Sequence, residues 1–204
     1  MKLMYLNCRG VKAKGFVSLI KDLKMMYSIS LLILVETQTS GVIADNVIQK
    51  LGFDRCTKVD AVGRAGGSQW DNLCDLAADM DKPWCVIGDF DVIGSDQERV
   101  GSCSNRPPRG ATQFVSVIND CELIDLGFVG PSYTWKRGNL KERLYRALSN
   151  MDLRLKFSIA SITHLNLLKS DHSPLLMNFT ENKGPNHGRQ PFRMSAVWFS
   201  HPSF

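Results

Sequence analysis

Ile29-Ser30-Leu31-Leu32-Ile33-Leu34-Val35-Glu36 is the stretch on which the reading of the fold turns. Ile29 to Val35 is an almost continuous apolar run, and Ile and Val favour extended backbone. A short run of this kind predicts a strand buried on both faces. It stops at a carboxylate. Upstream, Lys2 to Asn7 alternates and ends in a polar residue, which predicts another strand. Between the two, Phe16, Ile20, Leu23 and Met26 recur at helical spacing and predict a helix over 14–27. Downstream, Ser40 is placed to cap a second helix with an apolar face of Val42, Ile43, Val47, Ile48 and Leu51. Gly52 stops it. Strand, helix, strand, helix at this spacing predicts an α/β or layered α+β domain.

The same reading continues along the chain. Gly63 to Gly67 is a loop. Trp70, Leu73, Leu76 and Ala77 predict a helix, with Pro83 as its terminator. Trp84 to Asp89 is a second short buried strand that ends in a carboxylate. Residues 94–110 are polar, carry Arg99, Arg106 and Arg109, and are expected to form a long surface loop. Phe114, Val115 and Ile118 start a helix. Ser132 to Trp135 is expected as a strand, Leu144 to Leu155 as a helix, and Ile159 to Leu168 as a strand. Pro174 to Met177 is the last predicted strand, and after Phe179 the sequence turns polar.

Composition bounds the function classes. With 204 residues, 44% hydrophobic and 22% charged, the chain suits one globular domain with a real core and not a disordered or fibrous protein. No apolar run approaches the ~20 residues that cross a bilayer. The start lacks the apolar segment and cleavage site of a signal peptide, so a nuclear or cytoplasmic protein without a membrane partner is expected. The net charge of +5 is compatible with a polyanion. The six cysteines form no Cys-x-x-Cys pair and are read as free thiols.

One pattern points to chemistry. Asn7, Glu36, Asp89 and the Asp171-His172 pair all fall at ends of expected strands, where loops build sites. Carboxylates gathered on one rim repel unless a hard cation lies between them, and Mg²⁺ accepts one or two carboxylates plus water and phosphate oxygens. A histidine beside them can act as acid or base. These are parts for metal-assisted phosphodiester cleavage. Each residue also has an ordinary reading. Asn7 can be a turn residue, Glu36 and Gly88-Asp89-Phe90 loop residues, and Asp171-His172 an Asx-turn. The loop arginines can be merely solvated. His164, His187 and His201 lack carboxylates nearby in sequence and are read as structural or surface residues.

Taken in order, the motifs resemble a known family. Leu6-Asn7-Cys8-Arg9-Gly10, Val35-Glu36-Thr37-Gln38, Gly88-Asp89-Phe90-Asp91, Ser132-Tyr133-Thr134-Trp135, Arg143 to Leu148 and Ser170-Asp171-His172-Ser173-Pro174 are similar to the endonuclease/exonuclease/phosphatase superfamily. Within it they look like the endonuclease domain of plant LINE-type, non-LTR retrotransposon polyproteins. The resemblance covers 1–180. Pro191-Phe192-Arg193, Trp198 and His201-Pro202 in 181–204 resemble the linker toward a reverse transcriptase. It implies a DNase I-like α+β fold, a four-layered αββα sandwich, and Mg²⁺- or Mn²⁺-dependent nicking of DNA. By that resemblance Glu36 is the metal ligand, with Asn7 holding metal or phosphate. Asp89 handles the attacking water, Asp171 is a second carboxylate near the metal, and His172 stabilises the scissile phosphate. Asp91, Arg99, Arg106, Ser132 and Trp135 fall where substrate is contacted.

Three departures from the family pattern count against catalysis. Asp91 stands where the family has Asn, so an acceptor-only carboxylate replaces an amide donor. Tyr145 stands where the family has the Asp that orients the histidine, and a phenol is uncharged near neutral pH. Between Gly67 and Ser68 the family has further strands, which are missing here. Their loss is expected to leave central strands of one sheet absent, with unpaired edges and an uncovered apolar face. The sequence therefore predicts a degenerate or inactive phosphodiesterase. Two rivals are a non-catalytic nucleic-acid-binding remnant, using Arg99, Arg106, Arg109, Lys136 and Arg137, and a small-molecule or lipid phosphatase of the same superfamily.

Overall fold

A computed structural model describes residues 1–58, 69–101, 110–168 and 170–180. The fold is mixed α+β. Its strands are β1 (Lys2–Asn7), β2 (Leu31–Val35), β3 (Cys85–Asp89), β4 (Arg99–Val100), β5 (Ile124–Asp125), β6 (Trp135–Arg137), β7 (Leu140–Glu142), β8 (Tyr145–Ser149), β9 (Ser161–His164) and β10 (Leu175–Asn178). Its helices are α1 (Phe16–Tyr27), α2 (Gly41–Leu51), α3 (Gln69–Ala78), α4 (Ala111–Asp120) and α5 (Met151–Lys156).

The strands form three sheets, ordered β2-β1-β10-β9, β3-β8-β5 and β4-β7-β6. β1 and β2 run parallel, joined through α1, and the other pairs are antiparallel. The period-2 alternation of side chains explains the packing. Leu3 and Tyr5 of β1, with Leu175 and Met177 of β10, face Tyr145 and Ala147 of β8 in one apolar cluster. Met4, Leu6 and Leu176 point the other way, onto Phe16, Ile20 and Leu23 of α1 and Leu51 of α2. On the far side of β8, Leu148 meets Leu73 of α3 and Phe114 and Val117 of α4.

Several expectations are corrected. Residues 144–155 are not one helix. Tyr145–Ser149 is a fully buried central strand, and α5 starts only after Asn150, whose side chain caps it by accepting from the Leu153 N–H. The spacing of Leu144, Leu148 and Leu155, four and then seven residues, imitates a helix, because a strand buried on both faces has no alternation to betray it. β2 is expected from the sequence to be buried on both faces and β3 to be a short buried strand. Each is an edge strand among the described residues, and β3 and four of the five residues of β2 are only half-buried. Helix α2 buries Ala44 and Leu51, while Val42 and Ile43 of its expected apolar face are exposed. The strand expected over 132–135 begins at Trp135 instead. The expected loop at 94–110 contains a 3₁₀ turn (Asp96–Glu98) and β4. Arg106, Arg109, the 67/68 junction and the tail 181–204 lie outside the described residues, as do His187 and His201. Among the described residues no helix is long and apolar enough to cross a membrane.

Candidate active site

Register brings the strand ends together. Asn7 shares the face of Leu3 and Tyr5 at the end of β1, and Asp89 shares the face of Cys85 and Ile87 at the end of β3. β10 runs antiparallel to β1, so the segment that precedes it, with Asp171 and His172, returns to the end where β1 finishes. Beyond β1 and β2 the two loops stay zipped. Cys8 N–H donates to Val35 O (3.1 Å), Gly10 N–H to Glu36 O (2.8 Å) and Val11 N–H to Thr37 O (3.1 Å). That ladder fixes Asn7 and Arg9 beside Glu36.

The side chains meet accordingly. Asn7 Nδ2 donates to Glu36 Oε1 at 2.7 Å. Asn7 Oδ1 accepts from the Arg9 backbone N–H at 3.2 Å. The Arg9 guanidinium pairs with Asp171 Oδ2 at 2.8 Å and approaches Glu36 Oε2 at 3.9 Å. It also lies 3.4 Å from His172 Nε2. A guanidinium only donates, so Nε2 accepts and the proton of the neutral imidazole falls on Nδ1. Nδ1 lies 3.6 Å from Asp89 Oδ2, too far for a hydrogen bond. Trp135 Nε1 donates to Asp171 Oδ2 at 3.2 Å. The Asp91 N–H donates to Asp89 Oδ1 at 3.0 Å.

Tyr145 pairs across the sheet with Asp89, and its ring stacks on that of His172 with centroids 5.1 Å apart. Its wholly buried hydroxyl lacks a well-aligned partner. Ser132 is exposed in the turn before β6. Arg99 does not join the cluster, because its Nε donates to Glu142 Oε1 at 2.6 Å.

Two features mark this rim as a site. Four of the six left-handed non-glycine residues among those described are here: Arg9 (φ +42°), Glu36 (+51°), Gln38 (+49°) and Asp91 (+51°). Such backbone is costly and concentrates where geometry serves a purpose. The charges are also out of balance. Burial pushes the Asp89 carboxyl up to about 6, and the neighbouring charges of Asp91 and Glu36 push the same way. Burial lowers the His172 pKa, helped by Arg9 and opposed by Asp171. Burial, followed by the charge of Asp89, drives the Tyr145 phenol far above its usual range.

The donors decide whether a hard divalent cation suits the rim. Among the described residues no three His, Cys, Asp or Glu side chains form a ready-made metal cage. Mg²⁺ does not need one, since it keeps several waters and takes one or two carboxylates. Asp171 Oδ1 is buried with no partner, and the Glu36 carboxylate is half exposed. These are hard oxygen donors in excess negative charge, so the set fits Mg²⁺ or Mn²⁺.

No protein-family model matches the chain, and no curated protein matches it. The functional reading therefore rests on the rim itself. Arg9 lies inside the Leu6 to Gly10 motif, where the sequence assigns it no role. Its one visible signal is a fixed cation two residues beyond Asn7. Thr134 also had no role. It is fully buried, and its Oγ1 accepts from the N–H groups of Leu144 (2.9 Å) and Tyr145 (3.0 Å), which ties the Trp135 strand to β8.

Proposed function

We propose that the chain is an endonuclease/exonuclease/phosphatase-type domain of the retrotransposon kind. Its chemistry is divalent-cation-dependent hydrolysis of DNA phosphodiesters, impaired by two substitutions in the site. The observation that carries this is the convergence of Asn7, Glu36, Asp89, Asp171 and His172 from separate strand ends onto one charge-imbalanced rim. The apolar clusters support a layer order of helices, sheet, sheet, helices, as in a DNase I-like sandwich. The half-buried, one-sided β2 and β3 suit a domain that has lost strands beside them.

Glu36 and Asn7, with Asp171 beside them, would hold Mg²⁺ or Mn²⁺. The bound ion would supply Lewis-acid stabilisation of phosphoryl charge. Asp89, with its pKa near 6, is ionised at neutral pH and basic enough to take a proton from water. His172 would face the phosphate through Nε2, which donates to it only when the ring is doubly protonated, since the proton of the neutral ring is on Nδ1. Its Nδ1–H has the loosely placed Asp89 before it and the uncharged Tyr145 ring over it, so the imidazole is weakly oriented. In carboxylate–imidazole pairs elsewhere the loss of the orienter costs up to ~10⁴-fold in rate. The Asp91 charge adds repulsion against a phosphate.

A supercoiled-plasmid assay tests the reading. Slow nicking is expected that requires Mg²⁺ or Mn²⁺, stops in EDTA, and is lost in Glu36→Ala. A cooperatively melting protein that never nicks, yet shifts DNA in EDTA, would instead be a binding remnant. Turnover of small phosphoesters but not plasmid would make it a phosphatase.

A further inference from the structure

Arg9 sits where the cation-binding reading needs open ground. Its guanidinium is 2.8 Å from Asp171 Oδ2, 3.9 Å from Glu36 Oε2 and 3.4 Å from His172 Nε2. Both polar ends of the Asn7 amide are also engaged, one by Glu36 and one by the Arg9 backbone. The neutralisation is nevertheless incomplete. Asp171 Oδ1 and His172 Nδ1 are buried without a partner, and the His172 side chain is only 5% exposed. The Arg9 side chain is about half exposed, at 49%, so solvent is open to it if it leaves.

We propose that Arg9 is a tethered competitor of the divalent cation, its guanidinium holding the ground between Glu36 and Asp171 that the ion must take. This rests on the assignment of Glu36 as the principal cation ligand. A guanidinium and a divalent ion cannot share that ground, since both are cations and both need the same carboxylate oxygens. Binding of the ion therefore requires Arg9 to swing into solvent, and the pair it forms with Asp171 is subtracted from the ion's affinity. Arg9 has left-handed backbone (φ +42°). Ala carries the same Cβ, so Arg9→Ala removes the competitor without changing the backbone strain.

The test is equilibrium binding of Mn²⁺, read by electron paramagnetic resonance of the free ion, with no substrate present. Arg9→Ala should bind Mn²⁺ about fivefold more tightly than the parent chain, the weight of one partly exposed ion pair. Methylguanidinium should weaken Mn²⁺ binding in Arg9→Ala and leave the parent unchanged, which a merely structural arginine would not produce. Arg9→Gln, which keeps a donor without the charge, should tighten binding similarly and serves if Arg9→Ala folds poorly. Equal or weaker affinity in variants that melt like the parent would overturn the competition alone, provided Glu36→Gln still abolishes binding in the parent. If no variant binds Mn²⁺, or Glu36→Gln changes nothing, the cation site itself fails and the proposed function fails with it.

Discussion

Two regions of this molecule are built from the same materials and come out opposite. Around β4, β5, β7 and β8, Glu98 of the preceding 3₁₀ turn, Asp125 and Glu142 meet Arg99, Arg143 and Arg146. Arg143 reaches Glu98 at 2.9 Å and Asp125 at 2.7 Å, and Arg146 reaches Glu98 Oε1 at 2.7 Å and Asp125 at 3.2 Å. Despite burial, Arg146 and Arg143 hold the Glu98 carboxyl down at about 2. At the rim, Glu36 and Asp171 share Arg9, while among the described residues neither Asp89 nor Asp91 pairs with an arginine or lysine. There the Asp89 carboxyl rises to about 6. Carboxylates matched by guanidinium groups make a cross-link, whereas carboxylates left short of positive charge raise one another's pKa.

The sharpest way to break this contrast is to remove one arginine from the matched region. Arg146 is 3% exposed and bonds both Glu98 and Asp125. Arg146→Ala leaves the half-buried Glu98 and the more exposed Asp125 short of a partner and removes the guanidinium that lies over the Phe114 ring. The expected loss is about 2–3 kcal/mol in urea denaturation, the scale of lost charge-assisted hydrogen bonds, because Arg143 still holds both carboxylates. A loss below about 1 kcal/mol would mean that this network is no cross-link.

The next largest effect has the opposite sign. Asp89 is an acid whose folded pKa is raised from 3.8 to about 6. Its favourable contribution is complete below pH 3.8 and is lost as pH rises through 6, since folding then holds a charge that water would hold more cheaply. Asp89→Asn keeps an oxygen for the Asp91 N–H. It should raise stability at pH 8 by roughly 1–2 kcal/mol and change little at pH 4. Glu98 titrates the other way: lowered from 4.5 to about 2, its contribution is intact above pH 4.5 and fades as pH falls through 2. Melts at pH 2 and 5 check Glu98, and melts at pH 4 and 8 check Asp89. Equal effects of Asp89→Asn at the two pH values would remove the charge imbalance from the account.

The two regions were unequally legible in the sequence. The rim could be read because apolar runs stop at polar residues: Val35 before Glu36, Ile87-Gly88 before Asp89, Leu6 before Asn7. Asn7 and Glu36 end strands of one sheet and Asp89 ends a strand of the sheet packed on it, and polar strand ends mark candidates without knowledge of the sheet order. The ion-pair region could not. Arg143 and Arg146 find Glu98 from 45 and 48 residues away, and nothing local says which carboxylate an arginine will meet. The same blindness hid Arg9, whose partner His172 is 163 residues away. β8 was misread because burial on both faces erases the period that separates strand from helix.

The smallest predicted effect is also the most specific to the rim. Asp91 is exposed, so its removal should barely alter stability. Its charge is nevertheless one of those that raise Asp89. Asp91→Asn removes that charge, and the backbone N–H at this position still serves Asp89 Oδ1. The Asp89 pKa should therefore fall below 6, and the acid limb of the nicking rate should move to lower pH by a few tenths of a unit or more. Nicking itself should quicken, because an amide can donate to a phosphate oxygen that a carboxylate repels. A pH–rate profile of Asp91→Asn beside the parent separates the two effects, since the shift reports the charge on Asp89 and the plateau reports the contact with substrate. A faster plateau with an unmoved acid limb would mean that Asp91 meets substrate without acting on Asp89. A moved limb with an unchanged plateau would keep the electrostatic coupling and take Asp91 out of substrate contact.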